Sequence, residues 1–282
     1  MAFQASWLQE QLGRELRKSR ENSGLSTREV GDALGWAHTK VARIERAANQ
    51  FDQGDIVRLG RHYRIADQEI ERLCRMAAAK VTDAWWERYK QAVGADYFTL
   101  IRYENDASRM QSTQPSVVHG LLQTHDYLVN LIGLNLKIKD PDTIDSLIEV
   151  RLLRQRRLTG DEPPLLDVTL AESVFHTPFG GTAVLHEQLR SLRESAELPN
   201  IAIRVLPDTA LVARLPLDLY EFGGEDEPAI AASETPLSTV TYDSPLHIRK
   251  ARRILRTAQE AALSPEDSIT YIERRISETR GQ

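Results

Sequence analysis

A short segment near the amino terminus, residues 37–46, carries side chains whose hydrogen-bonding groups match the edges of DNA bases. His38, Thr39 and Arg43 are predicted on the outer face of a helix whose apolar residues face inward. An arginine can donate two hydrogen bonds to one guanine, and a histidine or threonine can bond an acceptor or contact a thymine methyl group. We therefore expect this helix to read bases in the major groove.

Neighbouring polar residues are suited to the sugar-phosphate backbone. Lys40 lies beside the predicted base-reading residues, and Arg28, Arg46 and Asn49 flank them in sequence. Contacts to phosphate position a protein on duplex DNA without reading its sequence. These four residues are predicted to contact phosphates.

A helix-turn-helix would be needed to present these side chains. Ser26 and Glu29 form a capping-box pattern that starts one helix, and Gly35 follows its last turn. Gly31 is small enough for close packing of that helix against the next one. The second helix is predicted to be held down by Val41 and Ile44, with Val30, Ala33 and Leu34 lining one side of the first helix.

The surrounding sequence predicts a compact helical domain over residues 1–80. Leucines recur every four residues from Leu8 to Leu16, which is typical of a helix with one buried face. Two further helices follow the segment 37–46, and Asp52 and Asp67 are predicted to cap them. Five short helices are therefore expected in this domain.

The charges are divided unevenly along the chain. Residues 1–80 contain 14 Lys and Arg against 11 Asp and Glu, whereas residues 81–282 contain 22 against 30. A modestly basic domain on an acidic remainder suits a module that binds a polyanion.

Several functional classes are disfavoured by composition. The sequence has no unbroken apolar run of about 18 residues and no secretory signal pattern, so a soluble cytoplasmic protein is expected, associated with the nucleoid when bound to DNA. Cys74 is the single cysteine, which excludes an internal disulfide and a thiolate zinc cluster, and buried packing is its expected role. No metal, cofactor or membrane partner is expected.

The remainder of the chain is predicted to contain a helical coupling segment and a mixed α/β domain. The coupling segment covers residues 81–110 and the α/β domain covers residues 111–282. Strands are predicted at "LLDVTLAES" and "IAIRVLP", and a strand pair at "LDLYEF" and "STVTYDS" around an acidic loop. The fold class is therefore mainly α with a C-terminal α/β part built on a mixed sheet.

The C-terminal domain leaves several functions open. No His-Glu-x-x-His pattern, phosphate loop or Gly-x-Ser-x-Gly elbow occurs, so no catalytic residues are predicted and an enzyme is disfavoured. The arginines of "RLLRQRR" are expected to pair with acidic neighbours rather than bind a polyanion. A protein-interaction domain would show an exposed apolar patch. A small-molecule sensor would instead have a pocket lined by one or more of Trp85, Trp86, Tyr97 and Tyr103.

The helix-turn-helix segment "LGRELRKSRENSGLSTREVGDALGWAHTKVARIERA" resembles the XRE-type regulators, which are Cro- and repressor-like. More narrowly, "ALGWAHTKVARIE" and "AWWERYKQAVGADYFTLIRYENDASRMQSTQPSVVHGLLQTHDYL" resemble the actinobacterial antitoxin-like regulators, which carry a C-terminal domain of poorly defined function. The resemblance implies a five-helix, lambda-repressor-like DNA-binding domain at the amino terminus.

The resemblance also has implications for partners and for one more site residue. Thr27 occupies the position where many relatives carry a glutamine that bonds a phosphate at the helix start, which makes it a fifth predicted phosphate contact. A small acidic partner protein is implied, with the C-terminal domain as its docking surface. Apart from the resemblance, a single DNA-binding domain, called the head below, contacts too few bases for tight specific binding. A homodimer on a palindromic operator is therefore expected.

Overall fold

The computed structural model describes residues 5–78, 85–90, 94–134, 140–212, 214–224, 227–234 and 239–280. The chain divides into two compact units. The first comprises Met1–Trp85 together with Gly224–Pro228, and the second comprises Trp86–Gly223 together with Ala229–Gln282.

The first unit contains the five predicted helices. They are α1 (Trp7–Asn22), α2 (Thr27–Leu34), α3 (His38–Glu45), α4 (Gln53–His62) and α5 (Asp67–Ala77). Side chains of all five helices form one core, because each helix buries an apolar stripe. The core residues that are at most 1% exposed include Leu12, Leu16, Val30, Val41, Ile56, Leu59 and Leu73.

The helix boundaries agree with most of the predicted caps and correct two details. Ser26 and Glu29 form a complete capping box at the start of α2, and Asp52 caps α4. Asp67 is wrong as a predicted cap, because it is the first helical residue of α5 and Ala66 holds the cap position. Ala33 was expected on the inner side of α2 but is exposed, because only Val30 and Gly31 of this short helix are buried.

The second unit is built on a six-stranded mixed sheet. Its strands are β1 (Arg109–Gln114), β2 (Leu165–Ala171), β3 (Ile201–Leu206), β4 (Leu217–Glu221), β5 (Ala229–Glu234) and β6 (Thr239–Tyr242). Their order is β3-β2-β1-β4-β5-β6, with β1, β2 and β3 parallel and the other pairs antiparallel. This arrangement confirms a C-terminal α/β part with a mixed sheet.

Within the described residues, six α-helices lie beside the sheet. They are α6 (Ala95–Asp106), α7 (His125–Gly133), α8 (Pro141–Gln155), α9 (Thr182–Ser195), α10 (Pro245–Ala261) and α11 (Pro265–Thr279). Short 3-10 helices cover Trp85–Tyr89, Gly120–Leu122, Arg156–Thr159 and Glu172–Phe175. None of the helices in the described ranges is long and apolar enough to cross a membrane.

Two sequence predictions for the second unit are wrong. The pair expected between "LDLYEF" and "STVTYDS" does not form, because β5 lies between β4 and β6 and pairs with both. Strand β5 has the sequence AIAASE, and its alanines gave no strand signal. Residues 109 and 110 were expected to end the helical coupling segment but begin β1, while its residues 81–84 and 91–93 lie outside the described residues.

The two faces of the sheet have different coverings. Helix α10 packs Ile248, Ala251 and Leu255 against Leu217 and Leu219 of β4. Because side chains alternate along a strand, the residues between those leucines face the opposite side. On that side the strand register places Ser112 of β1 beside Asp218 of β4.

Candidate functional site

The turn between α2 and α3 depends on two glycines. Gly35 ends α2 with a positive φ of 69°, which a residue without a side chain adopts readily. Gly31 lies where α3 begins: a Cβ atom added there would be 2.8 Å from the carbonyl oxygen of Trp36 and 3.2 Å from the Cα of His38. The backbone amide of Trp36 donates to the Gly31 carbonyl at 2.8 Å, which closes the turn.

Helix α3 presents a polar outer face to solvent. His38, Thr39, Arg43 and Arg46 are exposed, while Val41 on the inner face is completely buried. Thr39, Arg43 and Arg46 are spaced four and three residues apart, so they form one stripe along the helix. The N-terminus of α3 has no side-chain cap, which leaves it suited to a phosphate. The three residues predicted to contact bases therefore lie together on an accessible surface.

Three arginines around this stripe have no acidic partner among the described residues. Arg43 donates from Nη2 to Oδ1 of Asn49 at 2.8 Å, and Arg46 donates to the carbonyl of Ala42 at 3.0 Å. Arg28, at the start of α2, is also exposed. None of these three arginines forms an ion pair with a residue in the described part of the chain. Their positive charge is therefore available to a polyanion.

Lys40 is held more firmly than its neighbours. Its Nζ lies 2.7 Å from Oδ2 of Asp55 in α4 and 4.1 Å from the centre of the Trp36 ring. A contact to phosphate would have to compete with this carboxylate, although the Lys40 side chain keeps 42% of its surface exposed. Thr27, the remaining predicted phosphate contact, is partly buried at the start of α2.

A nearly buried ion pair connects α1 to the end of α3. Arg20 donates from Nε to Glu45 Oε1 at 2.6 Å and from Nη2 to Oε2 at 2.9 Å, and it also donates to the carbonyl of Leu25. The side chains are 11% and 5% exposed. The pair therefore holds α1 against the end of α3, because Glu45 is the last residue of α3.

A second site lies inside the second unit. A cavity of about 560 Å³ opens among α6, α8 and strand β4. Its apolar surface includes Leu100, Val118, Leu131, Ile132 and Leu147. Its polar and charged surface includes Tyr97, Glu104, Gln114, His119, Gln123, Arg151, Arg154, Asp218 and Glu234. Cavities of this size, mainly apolar with a few convergent polar groups, are typical of ligand sites.

Two arginines of α8 meet one tyrosine on the cavity wall. Arg154 is buried and forms a bidentate pair with Glu104, and it also donates to the hydroxyl of Tyr97. Arg151 donates from Nε to the same hydroxyl at 3.1 Å and from Nη1 to Gln123 Oε1 at 2.9 Å. Arg154 therefore has a carboxylate partner, as the sequence predicted for this arginine-rich segment. Arg151 has none among the residues described.

Asp218 of β4 places a carboxyl group on the sheet side of the cavity. Its Oδ1 accepts from Ser112 Oγ at 2.6 Å and from Gln114 Nε2 at 3.3 Å. Burial raises the pKa of Asp218 to about 7; the charges of Glu234 and Glu104 add to this effect, and the Ser112 hydrogen bond opposes it. Asp218 therefore changes its charge near neutral pH.

His119 lies close to Asp218 but is uncharged at neutral pH. Its Nε2 lies 3.7 Å from Asp218 Oδ1, and its Nδ1 accepts from the amide of Leu121. Burial, with the positive charges of Arg154 and Arg151, lowers the pKa of His119 to about 3. The imidazole therefore gives Asp218 no compensating positive charge at neutral pH.

Comparison with family models agrees with the geometry of both units. A model described as a helix-turn-helix domain matches residues 11–73, which include the whole turn and α3. A second model, described as a domain of unknown function (DUF5753), matches residues 97–274 and so covers more than half of the chain. The chain belongs to the DUF5753 family. No curated protein and no solved structure matches the chain.

The cavity is lined by only one of the four aromatic residues that the sequence suggested for an effector pocket. Tyr97 lines the cavity, while the Tyr103 ring packs against the rings of Tyr220 and Phe222. Trp86 is 3% exposed, and neither it nor Trp85 is among the residues that line the cavity. Of the four aromatic residues proposed for an effector, Tyr97 alone is placed against this cavity.

Sequence reasoning missed the charged residues of the DUF5753 cavity. Asp218 could have been noticed, because it occupies an inward position of the strand "LDLYEF" where an apolar residue is usual. Arg151 and Arg154 are three residues apart and share one face of α8, a spacing that could have pointed to a joint role. Glu104 gave no signal, because its contact with Arg154 joins positions 50 residues apart.

Proposed function

We propose that this chain is a sequence-specific, double-stranded-DNA-binding transcription regulator of the XRE type, and that α3 enters the major groove. The observation that carries the proposal is the exposed stripe of Thr39, Arg43 and Arg46 on a helix whose opposite face is buried. In this proposal His38, Thr39 and Arg43 contact bases. The predicted backbone contacts are Thr27, Arg28, Lys40, Arg46 and Asn49.

Selection from randomised duplexes with the full chain tests this function. We expect enrichment of one short motif, followed by specific binding that is at least about 10³-fold tighter than binding to unrelated duplex. The matched control is a variant in which His38, Thr39 and Arg43 are all alanine. These side chains are exposed, so the variant keeps the core intact. Equal enrichment by the parent and this variant would exclude α3 as the reading helix.

The proposal includes a homodimer in which the DUF5753 domain supplies the contact. Two heads would read half-sites about 10 base pairs apart on a palindrome. Strand β6 supports this proposal, because it is the edge of the sheet and its Val240 and Tyr242 are both partly exposed. Sedimentation equilibrium gives the mass directly. A monomer that binds one half-site at all concentrations would contradict the dimer.

The DUF5753 domain is further proposed to bind a small acidic partner protein, as in the antitoxin-like regulators that the sequence resembles. Support comes from the outer face of α10, where four exposed cations have no ion-pair partner among the described residues: Arg249, Lys250, Arg253 and Arg256. An acidic protein would complement this surface. Co-purification with a small acidic protein encoded beside this gene should be lost in an Arg249→Glu, Arg253→Glu double variant and kept in Arg190→Glu. Equal co-purification by all three would contradict docking on α10.

A second candidate function for the DUF5753 domain is the binding of a small-molecule effector. The cavity favours it, because charged groups converge on an apolar space large enough for a small organic molecule. In that case the protein would be a one-component regulator. Saturating ligand would then change the affinity of the full chain for its operator.

A further inference from the structure

The Tyr97 hydroxyl and Arg151 form a surface of unused hydrogen-bond donors in the cavity. The Tyr97 oxygen accepts from both Arg151 and Arg154, and no described residue accepts the proton of its hydroxyl group. Arg151 uses Nε and Nη1, which leaves Nη2 without an acceptor in the same part of the chain. A guanidinium and a phenolic proton side by side match a carboxylate oxygen pair.

Asp218 has the opposite need: among the described residues it has an acceptor oxygen without a donor, whereas Arg151 and Tyr97 have donors without an acceptor. Its Oδ1 already accepts two hydrogen bonds, whereas Oδ2 accepts none from the described residues. Glu234 also lines the cavity and is close enough to raise the pKa of Asp218. No cation is in hydrogen-bond contact with either carboxylate in the described ranges. A ligand ammonium group would supply the missing donors and the missing charge.

The balance of charge excludes a simple anion as the best ligand. Arg154 and Glu104 cancel each other in their buried pair. One cation, Arg151, then faces the cavity with two acids, Asp218 and Glu234. A dianion such as phosphate would add negative charge to an already acidic space, whereas a molecule with both signs of charge meets both requirements.

We propose that the cavity binds an amphiphilic zwitterion of the amino acid or short peptide class, with its carboxylate at Arg151 and Tyr97 and its ammonium group at Asp218 and Glu234. The body of the ligand lies against Leu100, Val118, Leu131, Ile132 and Leu147. This inference rests on the effector-binding function of the DUF5753 domain and is independent of DNA reading by α3. It names the chemical class that such an effector must have.

Calorimetric titration of the full chain with charge-matched probes tests the inference. The first series is L-leucyl-L-leucine, its N-acetyl derivative and its amide, which share one shape but carry both charges, the negative charge alone or the positive charge alone. A second series of leucine, N-acetylleucine and leucine amide covers a shorter distance between the charges. In one of the two series we expect the zwitterion to bind at least about tenfold more tightly than either derivative.

Two variants separate a binding role from a folding role through selectivity. Arg151→Met should lose most of the preference for the zwitterion over the amide, because Tyr97 alone is left for the carboxylate. Asp218→Asn should lose most of the preference for the zwitterion over the N-acetyl compound, because Glu234 alone is left for the ammonium group. In the parent, zwitterion affinity should rise between pH 5 and pH 7, where Asp218 ionises and the ligand ammonium group keeps its proton, and this rise should be absent in Asp218→Asn.

Several outcomes overturn the inference. If an N-acetyl compound binds as tightly as its zwitterion, the ammonium site proposed at Asp218 and Glu234 is wrong. If an amide does so, the carboxylate site proposed at Arg151 and Tyr97 is wrong. Absence of binding by every member of both series at about 10 mM rejects the class as a whole. The Arg43→Ala variant serves as a control that should bind the zwitterion like the parent. If that variant and the parent fail to bind DNA while both bind the zwitterion, the regulator function fails and this inference stands.

Discussion

Individual side chains on the outer face of α3, the proposed DNA-reading surface, are held in place by contacts within the protein. Asn49 accepts from Arg43 at 2.8 Å, and Asp55 with Trp36 holds Lys40. Restricting a long side chain in advance lowers the entropy that binding must remove. The same contacts also compete with DNA, most strongly for Lys40, whose partner is a carboxylate. Arg43 is therefore better placed than Lys40 to exchange its partner for a base.

The Arg43→Ala variant should lose discrimination at one base pair of the operator half-site. The expected cost is about 1–3 kcal/mol for the preferred base and close to zero for the other bases, because a bidentate contact to guanine is removed. Fluorescence anisotropy with four duplexes that differ at one position measures both values. Lys40→Ala is the comparison, since a phosphate contact should weaken binding to all four duplexes alike. Four unchanged affinities in Arg43→Ala would contradict its base contact.

Asp218 should make the folded protein less stable as the pH rises. Burial raises its pKa from the ordinary value of 3.8 to about 7, so the folded state binds the proton more tightly than the unfolded state. Its stabilising contribution is complete below the unfolded value and is lost as pH rises through 7. The penalty reaches at most about 4 kcal/mol, at roughly 1.4 kcal/mol per pKa unit. Urea unfolding at pH 5 and pH 8 measures it.

The Asp218→Asn variant isolates this carboxyl from the other titrating groups. His119 works in the opposite direction, because its pKa is lowered to about 3 and its contribution is lost as pH falls below the unfolded value of 6.5. That contribution is common to the parent and the variant. Relative to the parent, Asp218→Asn should therefore be more stable at pH 8 than at pH 5. An equal difference at both pH values would show that Asp218 does not titrate in this range.

At the level of elements, α3 is positioned by a backbone contact at its start and an ion pair at its end. Gly31 allows α2 to touch the start of α3, and the Arg20–Glu45 pair ties the end of α3 to α1. Both contacts lie on the inner side of α3. They orient the exposed stripe without occupying it.

The Gly31→Ala variant should destabilise the first unit and weaken DNA binding together. Its new methyl group would lie 2.8 Å from a backbone oxygen, which cannot move without shifting the turn. We expect a loss of about 1–3 kcal/mol in the free energy of unfolding. Gly133→Ala is the matched control, because nothing lies within 4 Å of a Cβ at that position. If Gly31→Ala unfolds at the same urea concentration as the control, the close approach of α2 and α3 does not constrain the turn.

Local signals predicted the first unit well and the cavity poorly. Ser26, Glu29 and Gly35 act within a few residues of one another, so their pattern is visible in sequence. Strand β5 was missed because its stability comes from pairing with β4 and β6, which its alanine-rich sequence does not reveal. The Arg20–Glu45 and Arg154–Glu104 pairs join residues 25 and 50 positions apart. Such contacts follow from tertiary packing, which a single sequence shows only indirectly.

The whole molecule combines a modestly basic amino-terminal segment with an acidic remainder. The excess of positive charge in residues 1–80 and of negative charge in residues 81–282 gives the two parts opposite tendencies toward a polyanion. DNA should therefore bind the head alone, although the net charge of the chain is -5. The ionic strength dependence of binding is the property that reports this division.

Operator binding by the full chain should weaken steeply with salt. Each phosphate neutralised by a cation contributes about -0.9 to the slope of the logarithm of the association constant against the logarithm of salt concentration. Arg46 is exposed and in no ion pair among the described residues, so Arg46→Ala should make the slope shallower by about one unit per head. Arg190→Ala, an exposed change in α9 that also removes one positive charge, should leave the slope unchanged. Equal slopes for Arg46→Ala and Arg190→Ala would show that overall charge, not the head, governs binding.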